Sequence, residues 1–421
     1  MSWLQRYRLR LFFNSSTWLL PVISIFVALV AVSLLHQLEL AMGWEASVKR
    51  DTSLAVMTTI ASSTFTLVVV VSSATLVAVQ LASAQLTPRI IALVYRITGR
   101  KLSLVAFVFT FTFSVAVLVR IDETVPLLTG YIAAYAFLIN LALFLYLIDF
   151  IGKSLRPSSA LRKVALIGRD VIKSVYPQPV HEKPSAAPEP TGILEGPPDR
   201  IVLNSEDGAV LAFDVKGLVS LAERSNCLIE LMPEVGDFVA IGDPLFRVFQ
   251  GGKDLSEETL RNSVAIGSER TMEQDPMFVF RIIVDIASKA LSPAINDPTT
   301  AVLAIDQLHH LLRDVGTRYL AEGHEEDRAG EVRLVYRTPD WEDFVQLAVT
   351  EIRHYGRDSI QVMRRLRSML ENLIATLPER RAPALHRELN LLTSSSRRSF
   401  VDSDDQKLAE GSDAQGIGGG R

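Results

Sequence analysis

The stretch Thr59-Ile-Ala-Ser-Ser-Thr-Phe-Thr-Leu-Val-Val-Val-Val-Ser-Ser-Ala-Thr-Leu-Val-Ala-Val-Gln80 carries no charge, and it sits in a longer uncharged run between Asp51 and Arg89. A transmembrane helix needs roughly 20 mostly apolar residues, so this stretch is more than long enough to cross a bilayer. The chain repeats the pattern on both sides. No charge interrupts it between Arg10 and Glu39, Lys101 and Arg120, or Glu123 and Asp149. Four spans within the first 151 residues follow from this. The charged residues lie mostly after Arg156, which makes the remainder a soluble region. The fold class expected is a membrane α-helical domain of four transmembrane helices plus a cytoplasmic α+β domain with a small β-sandwich-like module.

Whole-chain averages conceal this division, since a hydrophobic fraction of 48% and a net charge of -4 would suit an ordinary globular protein. Orientation comes from the basic residues, which are enriched in cytoplasmic loops. Arg6, Arg8 and Arg10 precede the first span, Arg89, Arg96, Arg100 and Lys101 follow the second, and Lys153, Arg156, Arg162 and Lys163 follow the fourth. The other side mixes Lys49, Arg50 and Arg120 with Glu39, Glu45, Asp51, Asp122 and Glu123. Both termini are expected in the cytoplasm of a multi-pass bacterial inner-membrane protein. The run from Thr17 to His36 exceeds the ~7–15 residues of a signal-peptide core and no clean small-x-small site follows, so an uncleaved span is expected. Cys227 is the one cysteine, which excludes an intrachain disulfide and suits a reducing compartment.

The expected organisation is a cytoplasmic N-terminus (1–16), the membrane domain (17–151), a helical extension (152–176), a Pro-rich linker (177–199), a β-rich module (200–250), a helical cytoplasmic domain (251–393) and a disordered tail (394–421). After the second span, the basic and apolar segment around Tyr95 suits the membrane interface. A tight turn around Asp122, Glu123 and Pro126 makes a hairpin of the third and fourth spans. Seven prolines in the linker keep it from building a core. In the β module, Gly208–Asp214, Cys227–Met232 and Gly236–Val248 read as strands, with a brief helix at Gly217–Arg224. The turns at Gly236-Asp237 and Gly242-Asp-Pro244 resemble half of a lipoyl-like sandwich. Attachment of a cofactor there would need a lysine at a hairpin tip, and none is present, so no cofactor is expected. Helices are predicted at Ser256–Ile266, Pro276–Ala290, Pro298–Val315, Trp341–Tyr355, Asp358–Leu377 and Arg380–Leu392, with a strand at Glu331–Tyr336.

Two constellations point to function. In Ala290-Leu-Ser-Pro-Ala-Ile-Asn-Asp-Pro-Thr-Thr-Ala301 the Asp-Pro pair is a strong helix start, and Gln274-Asp275-Pro276 repeats it. Capping explains Asp275, Asp297 and the prolines. Asn296, Thr299 and Thr300 add further donors where a helix dipole favours an anion, with Arg270 and Arg281 as added charge. A small anion, a lipid head group or a partner carboxylate would suit this place; a magnesium-type site on Asp275 and Asp297 is a weaker reading. In the membrane, Thr59, Thr66, Ser73 and Gln80 recur every seven residues, with Ser62 and Ser63 on the same face. That spacing fits a tight helix–helix seam or a permeation face. Asn140 adds an intramembrane polar group in the fourth span. No acidic or basic residue lies deep in a span, against a proton relay or voltage sensor. No Gly-rich phosphate loop, HExxH helix or GxSxG elbow is present, so no enzyme activity is indicated. His309 and His310 read as solvated or packed histidines, and Arg364, Arg365 and Arg367 as a solvated face.

Gln85-Leu-Thr-Pro-Arg-Ile90, Gly236 to Leu245, and Gly267-Ser-Glu-Arg-Thr-Met-Glu-Gln-Asp-Pro276 running into Leu291-Ser-Pro-Ala-Ile-Asn-Asp-Pro-Thr-Thr300 together resemble the predicted bacterial membrane proteins of domain of unknown function twenty-two fifty-four. The likeness spans about residues 1 to 393. It implies a four-span bacterial inner-membrane protein with a cytoplasmic domain, and it brings no activity with it. The function expected is an oligomeric channel or transport-like protein with a cytoplasmic sensing domain. The alternatives are a membrane-anchored scaffold recruiting a cytoplasmic partner and a lipid-acting enzyme at the membrane face. Expected partners are the lipid bilayer, further copies of the chain in a homo-oligomer, and a cytoplasmic partner or small anionic ligand; no nucleic acid is expected.

Overall fold

The structure, a computed structural model, describes residues 2–16, 18–43, 49–90, 98–121, 127–154, 156–180, 196–252, 254–320 and 323–418. The chain divides into two compact units, Leu11–Ser159 and Met1–Arg10 with Ala160–Arg421. Helix α1 (Trp3–Ser15) carries the three N-terminal arginines.

The first unit holds α2 (Leu19–Met42), α3 (Arg50–Gln85), α4 (Thr98–Leu118) and α5 (Leu127–Ser154). All four are long and apolar enough to cross a membrane. Helix α3 has 36 residues, which at the usual rise gives about 54 Å against a hydrocarbon core of roughly 30 Å. It gives way to a single 3-10 turn at Pro88–Ile90, where proline cannot continue the hydrogen-bond ladder. The interfacial segment expected around Tyr95 and the turn expected around Asp122, Glu123 and Pro126 lie outside the described residues.

Helix α4 packs against α2, α3 and α5. One apolar cluster joins Ala28, Val32, Met57, Ile60, Phe113, Val117 and Ala133, and a second joins Val71, Phe107 and Leu147. Large apolar side chains stand on the outward faces, with Phe26, Leu34, Val77, Leu138 and Leu145 exposed, as suits a bilayer solvent. Near the end of α2, buried Glu39 accepts the Thr129 backbone N–H at 2.9 Å. Its charge there suits the N-terminus of α5, where the helix dipole is positive.

The second unit begins with α6 (Pro157–Val175), whose buried stripe runs through Leu161, Val164, Gly168 and Ile172. Gly168 is required by close approach: a Cβ there would stand 2.5 Å from Val279 Cγ1. The first linker residues pair with the end of the helical region, Val180 N–H donating to Thr317 O at 2.9 Å. Residues 181–195 of the expected linker lie outside the described residues.

Eight strands follow among the described residues: β1 (Arg200–Leu203), β2 (Gly208–Phe213), β3 (Leu228–Leu231), β4 (Phe238–Val239), β5 (Pro244–Phe249), β6 (Val264–Gly267), β7 (His324–Glu326) and β8 (Val332–Tyr336). They form a five-stranded sheet in the order β1-β5-β3-β8-β7 and a three-stranded sheet in the order β4-β2-β6. Helix α7 (Val215–Arg224) lies between β2 and β3 in sequence. Val202, Ile229, Phe246 and Leu334 of the larger sheet share one core with Val210, Val239 and Val264 of the smaller. The remaining helices are α8 (Glu257–Arg261), α9 (Pro276–Ala290), α10 (Pro298–Gly316), α11 (Trp341–Tyr355), α12 (Ile360–Thr376), α13 (Ala382–Ser399) and α14 (Ser403–Ala409). Phe280, Leu308, Phe344 and Leu366 are fully buried among them.

Four sequence expectations need correction. The helix predicted for Ser256–Ile266 stops at Arg261, and Val264-Ala-Ile-Gly267 becomes β6 paired with β2, because β-branched residues find a strand edge to join. The boundary at 250 is not respected, since β6 pairs with β2 and β8 runs parallel to β3. The tail expected to be disordered from Ser394 is helical to Ser399 and again in α14. It is held at Asp413, whose carboxylate accepts backbone N–H groups of Gln415, Gly416 and Gly418. Finally, Arg364 and Arg365 are buried rather than solvated. Arg364 donates to Gly418 O in that tail, and Arg365 pairs with Asp306 at 2.7 Å.

Candidate functional site

The membrane constellation separates into two faces. Met57, Thr64, Val71 and Ala78 of α3 are buried, and they form the stripe packed on this chain's other helices. Thr59, Thr66, Ser73 and Gln80 each stand two residues further on, about 200° around the helix, and all four are exposed. Ser62 is exposed too and Ser63 is half-buried. The seam therefore faces away from the chain's own bundle. The hydroxyls of Thr59, Ser62 and Thr66 donate to the carbonyls of Ala55, Thr59 and Ser62 on their own helix. Ser73 and Gln80 donate no such bond among the described residues.

Asn140 does not join this seam. It is 1% exposed and lies on the packed stripe of α5 with Ala133 and Leu147. Thr64 and Ser114 are as deeply buried, and Thr64 Oγ1, Ser114 Oγ and Asn140 Nδ2 have no hydrogen-bond partner among the described residues. Thr64 and Asn140 fall between members of the two apolar clusters, and Ser114 falls among members of the first. The Phe65 and Phe111 rings, 5.7 Å apart, set the level of α3 against α4 there. Sequence reasoning missed Thr64 and Ser114, because period seven alone does not say which face is packed.

At the helix caps the predicted cluster is taken apart. Asp297 accepts Thr300 N–H at 3.0 Å and Thr300 Oγ1 at 2.6 Å, which is capping. Asn296 sits at φ +50 and, like Thr299, is exposed. Arg281 is engaged by Asp285 at 2.6 Å and by Glu351 at 2.7 Å. Arg270 holds Asp275 through Nε at 2.9 Å and Nη2 at 2.6 Å. Both arginines are thus engaged by carboxylates away from the 296–300 segment. Asp275 in turn caps α9 by accepting Phe278 N–H at 2.8 Å. Among the described residues, no group of three or more His, Cys, Asp or Glu could hold a metal ion.

Asp275 does line a cavity, of about 210 Å³, at the end of α6. Its walls come from separate segments: Tyr176 after α6, Phe213 of β2, Glu234 before β4, Asp275 before α9, Glu325 of β7 and Tyr336 of β8. The Phe213 and Tyr336 rings meet edge to face at 5.1 Å, and Tyr336 Oη donates to Glu325 Oε1 at 3.3 Å. Tyr176 is 2% exposed, and Thr338 stands beside its hydroxyl without completing a hydrogen bond of normal geometry. Burial pushes the Tyr176 phenol up to about 12. Burial also raises the Glu234 carboxyl, helped by the like charge of Asp237. At Asp275 burial again acts upward and outweighs the Arg270 guanidinium. Nothing in the sequence spacing announces this site, because its residues meet only when both sheets close against α6 and α9.

His309 is packed, whereas His310 beside it is exposed. His309 Nε2 meets Asn372 Oδ1 at 2.9 Å, and Nδ1 accepts from Arg365 at 3.2 Å. Burial, then the positive charge of Arg365, holds this imidazole below its ordinary range.

A family model described as a predicted membrane protein (DUF2254) matches residues 14–372. That range takes in all four spans and every cavity residue named above. An uncharacterised protein of Mycobacterium bovis is 27% identical over 377 residues, covering 86% of this chain and 71% of that one. An uncharacterised protein of Mycobacterium tuberculosis matches to the same extent. No solved structure matches the chain.

Proposed function

The chain belongs to this family of predicted membrane proteins, and on that premise we propose that it is an oligomeric channel or transport-like protein of the bacterial inner membrane with a cytoplasmic sensing domain. The observation that carries this reading is the outward-facing seam of α3. In an isolated chain, Ser73 and Gln80 would face hydrocarbon, where polar groups lack partners. Closed assembly of several copies would remove them from lipid and line the space between subunits with hydroxyls and an amide. The basic residues before the first span and after the second and fourth support cytoplasmic placement of the soluble region.

Thiol accessibility tests it. In membranes, Ser73→Cys and Thr66→Cys variants are expected to react with a water-soluble thiol reagent, while Leu145→Cys on the exposed apolar face of α5 is expected to be protected. Background is low, because Cys227 is buried and burial raises its thiol. Protection of both seam positions would overturn the water-lined path and favour a packed scaffold.

A further inference from the structure

We propose that the cavity at the end of α6 binds a small organic ammonium ion, with aromatic walls around its carbon skeleton and Glu234 and Glu325 as its counter-charges. The assignment gives the sensing half of the proposed function a ligand class and rests on that half.

The first ground is the Tyr176 hydroxyl. It is almost fully buried, belongs to a cavity-lining residue and, among the described residues, completes no hydrogen bond of normal geometry, with Thr338 beside it. A buried polar group without a partner is rare and needs an explanation. An N–H donor that enters beside Thr338 and reaches this closed-off oxygen would supply one. The second ground is charge. Asp275 is already engaged by Arg270 and the Phe278 N–H. Two half-buried carboxylates, Glu234 and Glu325, then face one lining guanidinium, Arg337, which is exposed. The balance is negative, which favours a cation over an anion.

The third ground is the wall. Tyr176, Phe213 and Tyr336 present aromatic surface, which attracts cations and suits alkyl groups. A bare metal ion would use neither feature, and the described residues offer it no cluster of ligands. Size sets the last limit: about 210 Å³ is below the roughly 300–1,000 Å³ of drug-sized ligand sites, so the ammonium compound is small. Its place matters for signalling. Ser174 of the wall lies in the last turn of α6 and Tyr176 directly follows it, and the first residue of α6, Pro157, follows the last residue of α5, Ser154, closely in the chain.

The test is ligand-induced stabilisation and titration calorimetry of the full chain in lipid nanodiscs, with n-butylamine at neutral pH as the probe and butyrate as the control. Butylammonium is expected to raise the melting temperature in a dose-dependent way, and butyrate is not. Tyr176→Phe and Glu234→Gln are expected to weaken binding roughly tenfold or more, and Glu325→Gln serves if either fails to fold. No stabilisation by the amine, equal stabilisation by butyrate, or undiminished binding by folded variants would each overturn the assignment. Binding is read without any flux, so its failure is distinguishable from failure of the channel reading.

Discussion

Gly236 and Arg270 meet so closely that a Cβ at position 236 would stand 2.1 Å from the guanidinium Nη2. The glycine also has φ +99, a conformation that side chains disfavour. The turn before β4 thus presses on the arginine that holds Asp275, and Asp275 lines the Tyr176 cavity. Gly236→Ala is expected to strain the turn and displace Arg270, leaving Asp275 buried with its partner moved away. The expected loss is about 2 kcal/mol, read as a lower melting temperature of the purified protein. Unchanged melting would show that Arg270 yields freely.

The two Asp-Pro helix starts should behave as caps. Asp297→Ala is expected to lose about 1 kcal/mol of stability, while Asn296→Gly, at φ +50, should be neutral within a few tenths. Thermal melting of the two variants separates them. Neither is expected to alter butylammonium binding, since neither residue lines the cavity.

Thr64 and Ser114 have 0% exposure inside the helix bundle, and their hydroxyls are unpartnered among the described residues. Replacing such a group by an apolar one of the same shape removes an unmet hydrogen-bonding need. Thr64→Val is therefore expected to stabilise the protein by about 1 kcal/mol. Destabilisation on melting in detergent or nanodiscs would mean that the layer holds a hydrogen-bonding occupant.

Asp413 organises the C-terminal segment. Burial opposes its charge, but the backbone N–H groups of Gly418, Gly416 and Gln415 hold its carboxyl below the usual range. A depressed carboxyl contributes stability above its unfolded pKa, about 3.9, and loses it as pH falls through the folded value. Docking of this segment should hold at neutral pH and weaken in acid. Asp413→Ala is expected to free it at neutral pH, seen as faster hydrogen exchange at Gly416 and Gly418 and earlier proteolysis. Equal exchange in variant and parent would place the anchor elsewhere, at Arg364 or Gln361.

The membrane half was largely legible from the sequence, because charge-free runs of bilayer length have few alternative uses. All four spans appear, and so do helices from Pro276, Pro298 and Trp341, whose caps are written locally in Asp275, Asp297 and Asp340. What escaped depends on pairing over distance. Val264–Gly267 is a strand because β2 offers it an edge, and β3 gains β8 from about a hundred residues away. The arginines at 364 and 365 look solvated in sequence, yet Asp306 and the tail cover them. The seam of α3 was visible as a period, but which face it occupies depends on where the other helices pack. The Tyr176 cavity was not legible, since no two of its charged residues are neighbours in the chain.

The most direct test of the account is the number of copies per assembly, measured by native mass spectrometry of the full chain in nanodiscs. A closed ring of three or more subunits is expected, with the Thr59–Gln80 faces turned inward. A monomer or a simple dimer would contradict it, because neither encloses a path along those faces.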